Sequence, residues 1–415
     1  MKKILLLLLA CLPGCLHCFA QDSLLIELLK QHRYKVSLSN GTLEGEGAQW
    51  LKKEAADAQF ILIGEDHGLA QPPQLTAAVF KMLHPAGFRY FVSETGPSSI
   101  KLLTPMVAGK DQHSLVSFFR QHPMAFAFYP MQEEAQMLKE ILQTTRYAEN
   151  TVWGIDQEFI MSPGAYLHHL AKQKWGKESR LVLEQYVRRT DAEMKDALET
   201  KDFSKLSMQT LTAEDFEILR TAVKSKPEAV SIINNLERSQ EIYQLFGTSG
   251  YTSNLVRIQL MKDNLMKHYR QAQAAGNAIP RAVFKFGATH MYRGQSFLGF
   301  YDIGNLASEL AASNGMTSLH ILIAGNGGTV NNWRLINDVS TQKSPYSGKE
   351  ALKELGISPL YSLMDKKEWQ LIDLEPAREM IYNGRIKNIN QQLRKIIWGY
   401  DAILLIPEVS ASTNL

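Results

Sequence analysis

The chain has 415 residues, too many for one ordinary domain. Hydrophobic residues make up 45% and charged residues 21%, an ordinary globular composition that excludes a disordered or collagen-like chain. The 45 basic and 42 acidic residues leave a formal charge of +3 with no basic stripe, so nucleic acid is not an expected partner.

The first 20 residues hold all three cysteines, Cys11, Cys15 and Cys18. Lys2 and Lys3 precede the apolar run Ile4–Cys11, and small residues close the segment at Ala20. A basic start, a short apolar middle and a small-residue end form the pattern of a secretory signal peptide over residues 1–20. The apolar run is too short for a membrane span. A periplasmic or secreted protein follows. The competing signal is Leu12-Pro13-Gly14-Cys15, which would place a lipid anchor at Cys15. Removal of the segment leaves no thiolate nucleophile, no disulfide and no cysteine-based metal centre.

Beyond it, short apolar or β-branched runs recur: Phe60–Ile63, Tyr90–Ser93, Thr151–Ile155, Ala282–Phe286, Leu319–Ala324, Trp369–Ile372 and Ala402–Ile406. Continuous rather than alternating apolarity marks strands buried on both faces, as in a parallel sheet. Helical spacing fills Pro72–His84 and Met131–Leu142 between them. The expected fold is α/β, a mostly parallel central sheet flanked by helices. Residues 164–276 read instead as successive helices with no comparable strand. The expected organisation is therefore a first core part over 21–163, a large helical insertion over 164–276, and a second core part over 277–415.

Ligand sites in open α/β sheets lie beyond the carboxyl ends of the strands. Four of the expected strands run into Gly64-Glu65-Asp66-His67-Gly68, Glu94-Thr95-Gly96-Pro97, Asp156-Gln157-Glu158 and Gly287-Ala288-Thr289-His290. In extended chain Glu65 and His67 point the same way, so the carboxylate can fix the imidazole tautomer and raise its basicity. Asp66 points the other way and reads as structural. Glu94 and His290 complete the candidate catalytic set, and Asp156 joins it as a substrate-binding candidate. Arg293, three residues beyond His290, and Arg257 are candidate stabilisers of negative charge. Arg257, Met261 and Asn264, at spacings of four and three, share one helix face, which makes Asn264 a binding candidate. His113 and His122, flanking Phe118-Phe119, read as surface or substrate-loop groups, and His168 and His169, adjacent at the start of the helical stretch, face apart and carry no site signal. No Gly-x-Ser-x-Gly elbow, His-Glu-x-x-His helix or phosphate-binding loop is present.

As an ordered set over residues 55–300, these motifs resemble the erythromycin esterase/ChaN-like superfamily, related to the TIKI and TraB-type proteins. The resemblance implies an α/β fold with a two-histidine, two-glutamate site, here Glu65, His67, Glu94 and His290. It implies one of three activities: lactone hydrolysis by histidine-activated water, metal-dependent peptide cleavage, or haem binding for iron acquisition. Two departures from the esterases stand out. One residue rather than two separates Glu65 from His67, and Ile258 replaces the acid that follows the helix arginine. The Glu-x-His spacing is closer to the ChaN and TIKI branches.

The expectation is an exported hydrolase acting on an ester, lactone or amide of a small-molecule or peptide substrate. If a divalent metal is used, His67, Glu94 and His290 are an acceptable ligand set for Zn, Mn or Co. The alternative is a haem- or metal-binding protein without turnover, with Tyr129 as the axial candidate.

Overall fold

The computed structural model describes residues 23–109, 112–332, 342–365 and 367–415. The expected signal peptide and the lipid-anchor cysteine lie outside them. Among the described residues, no helix is long and apolar enough to cross a membrane.

The protein is α/β with a mostly parallel central sheet, as its apolar runs require. Its strands are β1 (Arg33–Ser39), β2 (Thr42–Glu44), β3 (Ala58–Glu65), β4 (Phe88–Ser93), β5 (Val152–Gly154), β6 (Arg281–Gly287), β7 (Thr317–Asn331), β8 (Lys343–Ser347), β9 (Trp369–Asp373) and β10 (Ala402–Val409). The chain forms two compact units. One takes the chain up to Ala86 with Phe286–Val330 and Ser344–Ala411. The other takes Gly87–Lys285, Asn331–Lys343 and Ser412–Leu415. The helical stretch is present, with Lys177–Thr200, Pro227–Thr248 and Gly250–Ala274 its longest members, but it shares a unit with β4 and β5.

In the first unit the strand order is β2-β1-β9-β10-β7-β3. β3 pairs parallel with β7, and β7 with β10. All eight residues of β3 are buried, which explains its unbroken apolar run. The outer strands differ. β9 runs antiparallel to β10, β1 to β9 and β2 to β1. β1 buries only Val36 and β2 only Leu43. A strand that buries one side chain leaves too weak a pattern to stand out in the sequence. In the second unit β4 lies between β6 and β5, parallel to both.

Helix starts are plainly encoded. Pro72, Pro97, Pro163 and Pro227 occupy first turns, where a missing N–H costs nothing. Thr212 and Asp215 form a capping box on the helix Ala213–Val223.

Asp401, immediately before β10, is a polar hub of the first unit. It accepts from Arg293 at 3.1 and 2.8 Å and from the His320 N–H at 2.8 Å, and it pairs with Arg378 at 2.9 Å. Burial opposes its charge, but the charge and hydrogen bonds of Arg293, with the Arg378 charge, win and hold its pKa at about 2. Burial likewise lowers the His320 imidazole to about 3, so this ring stays neutral. Asp401→Ala would strand two guanidinium groups and is expected to cost about 3–5 kcal/mol in denaturant unfolding. Because the folded pKa lies below the ordinary 3.8, the carboxylate's contribution is complete above about pH 4. It fades as pH falls towards 2, so the penalty of Asp401→Ala should shrink over that range.

Candidate functional site

Glu65 is the last residue of β3, and His67 follows it in the turn. The two point the same way, as expected, with Glu65 Oε1 accepting from His67 Nδ1 at 3.0 Å. Glu65 is 1% exposed and His67 28%. The carboxylate is thus sequestered while the imidazole remains accessible. An ionised partner puts the proton on Nδ1, which makes Nε2 the basic nitrogen. Asp66 turns away and accepts from the Tyr346 hydroxyl at 2.6 Å. Burial pushes the Asp66 carboxyl up.

The second Gly-x-x-His motif forms a single 3₁₀ turn, Ala288–Met291, directly after β6. His290 is buried there, and its Nδ1 donates to Asp302 Oδ2 at 2.8 Å. Asp302 is itself fully buried and caps the helix Ile303–Ser313 through the Ile303 N–H at 2.7 Å. Its two oxygens therefore fix one imidazole and one helix start. Sequence reasoning missed this residue. Twelve positions from the histidine, it reads only as an N-cap, and that cap was the available signal.

The two motifs pack on each other within the first unit. A Cβ on Gly64 would lie 2.5 Å from the Tyr400 hydroxyl and 3.0 Å from Ala288 Cα. Glycine is required there by close approach. The Tyr400 hydroxyl donates to the Ala288 carbonyl at 2.5 Å, clamping the second turn beside the end of β3.

Arg293 does not serve this site. Its guanidinium is committed to Asp401 and to the Ser318 carbonyl, near the starts of β10 and β7 rather than their carboxyl ends. Spacing along the chain from His290 was a poor guide, because the backbone turns away to meet Gly399.

The second unit gathers Glu94, Asp156, Arg257 and Asn264. Arg257 donates from Nε to Asp156 Oδ1 at 2.9 Å, from NH2 to Asp156 Oδ2 at 2.5 Å, and from NH2 to Glu94 Oε1 at 3.1 Å. Both carboxylates are buried. Burial disfavours the guanidinium charge, yet Asp156 and Glu94 more than offset it and raise the Arg257 pKa. Arg257 is therefore a clamp on two acids, not the stabiliser of developing charge that the sequence suggested. Asn264, seven residues along the same helix, donates to the Ile155 carbonyl at 2.9 Å.

Glu158 ends the same segment with a structural role. Its fully buried carboxylate accepts from the N–H groups of Ser98 and Ser99, at 2.7 and 3.2 Å, and from the Tyr166 hydroxyl. The first two bonds satisfy the start of the helix Pro97–Ala108. Burial pushes its pKa up against those bonds.

Among the described residues, no group of three or more His, Cys, Asp or Glu is placed to hold a metal ion. Tyr129 is buried with its hydroxyl 3.0 Å from Ser93 Oγ. Burial raises its pKa.

Comparison with known proteins locates the fold. The sequence matches no family model and no curated protein. Solved structures do align with it along nearly its whole length. One is a mutant of the erythromycin esterase EreC in its open conformation, at TM-score 0.58 and 13% identity over 92% of this chain and 98% of that one. The chain shares the fold of an erythromycin esterase. It likewise resembles a Bacillus cereus protein at TM-score 0.57 and 16% identity, over 95% of this chain and 99% of the other. A succinoglycan biosynthesis protein aligns at TM-score 0.55 and 14% identity, over 95% and 99%.

The Arg257 clamp has a measurable signature. Arg257→Met takes a shared guanidinium from two buried carboxylates and is expected to cost about 3–5 kcal/mol in urea unfolding. Arg257→Lys should recover only part of that, because an ammonium cannot bond both Asp156 oxygens as a fork.

Proposed function

We propose that this chain is an exported hydrolase that uses water to cleave an ester, lactone or amide of a small-molecule or peptide substrate. The observation that carries the proposal is the Glu65–His67 pair at the carboxyl end of β3, with its carboxylate buried and its imidazole accessible. The fold, shared with an erythromycin esterase, supports the reading by analogy. Export rests on residues 1–20 and belongs to the same proposal.

In the proposed reaction His67 Nε2 takes a proton from water as the water oxygen attacks the carbonyl carbon. Glu65 stabilises the imidazolium that forms. Collapse of the tetrahedral intermediate breaks the bond to the leaving oxygen or nitrogen. That atom receives a proton from Nε2 of the His290 imidazolium, which Asp302 holds through Nδ1, and the proton taken up by His67 returns through solvent to His290, restoring both rings. The products are an acid and an alcohol or amine. Glu94 enters the proposal as a buried acid whose orientation Arg257 fixes.

The test is a panel of ester, lactone and peptide substrates. His67→Ala and His290→Ala are each expected to lower kcat by about 10²–10⁴-fold, the range of a positioned acid or base. Asp302→Asn should lower kcat while leaving KM nearly unchanged. Wild-type turnover in either alanine variant would remove that histidine from the mechanism.

A further inference from the structure

β5 is the terminal strand in the second unit and only three residues long. Among the described residues, no further strand pairs with its outer side. The helix Gly250–Ala274 reaches across instead: Asn264 donates to the Ile155 carbonyl at 2.9 Å, and His268 Nε2 lies 3.3 Å from the Gly154 carbonyl. At a spacing of four, these residues share one helix face. Beside them lies a cavity of about 510 Å³, bounded by this helix, the helices Pro97–Ala108 and Pro227–Thr248, and the chain from Leu142 to Gly154. Small-ligand sites span roughly 300–1,000 Å³.

The lining has a definite chemistry. Ile100, Val152 and Ile232 give it a buried apolar floor. Asn264 commits one amide N–H to the protein, and so does Asn235, which donates to Ser98 Oγ at 2.8 Å. Among the described residues, their amide oxygens have no protein partner. His268 lies flat against Trp153, with centroids 5.7 Å and planes 6° apart. Burial lowers its pKa to about 4, so the ring is neutral. A neutral ring that donates from Nε2 keeps Nδ1 as an acceptor. Tyr147, 48% exposed, adds an aromatic face to the lining. Four charged residues line the cavity, two of each sign: Lys101 and Glu228 pair at 2.7 Å with their side chains largely in solvent, and Glu149 and Lys267 are exposed at its rim.

We propose that this cavity binds a neutral, hydroxyl-rich ligand, a sugar ring, at a site separate in function from the His67 chemistry. Fixed amide and imidazole acceptors suit hydroxyl donors, and the apolar floor and tyrosine suit the C–H faces of a pyranose. The four lining charges sum to zero, which gives a carboxylate or an ammonium ligand no net advantage.

Saturation-transfer NMR on the purified full chain, with glucose, N-acetylglucosamine and maltose, tests this. Gluconate and glucosamine serve as charged counterparts. At least one neutral sugar should show transfer at millimolar concentration and outcompete both charged compounds. Ser231, exposed on the helix Pro227–Thr248, lines the cavity, so Ser231→Trp should fill it without disturbing the core. This variant should keep the wild-type melting temperature and weaken binding at least about tenfold, or 1.4 kcal/mol. Asn235→Leu should weaken it as well. The proposal fails if no neutral sugar binds, if a charged counterpart binds equally well, or if Ser231→Trp leaves binding intact.

Discussion

A carboxylate taken out of water must be given a partner, and that constraint organises the polar interior of this protein. Parallel strands deliver acids to one end of a sheet, where water is scarce. Each acid described here has been answered in a different way. Glu65 has the His67 imidazole, and Asp302 has His290 and a helix start. Glu94 and Asp156 share Arg257, and Glu158 has the N–H groups of a helix. The two acid–histidine pairs differ in kind from the rest. An arginine clamp is permanently charged and only holds its partners. An imidazole can gain and lose a proton near neutrality, so these pairs can do chemistry as well as hold structure.

The proposed steps therefore rest on the unit that contains both histidines. Gly64 is central to it, because the absence of a side chain lets Tyr400 and Ala288 approach the end of β3. A fold alone does not specify a reaction, and at 13–16% identity the solved relatives establish only the fold. What moves the reading towards hydrolysis is the asymmetry of exposure between Glu65 and His67.

Much of this was readable in the sequence, for physical reasons. β3, β6, β10 and the first part of β7 are mostly apolar runs because both their faces are buried, and such runs are hard to miss. β1, β2 and β8 bury almost nothing and carry no such signal. The Glu65–His67 pair was readable because it depends only on the two-residue period of extended chain. The His290–Asp302 pair depends on a loop that returns twelve residues later, and no local periodicity encodes such a return. Arg293 shows the same limit from the other side: near His290 in sequence, it belongs to the Asp401 hub. Arg257 was placed on the correct helix face, but its role was inverted, since the acids that occupy it come from more than a hundred positions away.

Asp302 touches an imidazole with one oxygen and the first turn of a helix with the other. Whatever slides or tilts Ile303–Ser313 must drag that carboxylate along and so retune the ring beside it. One carboxylate thus ties the orientation of an imidazole to the position of a helix start, so neither can be moved alone.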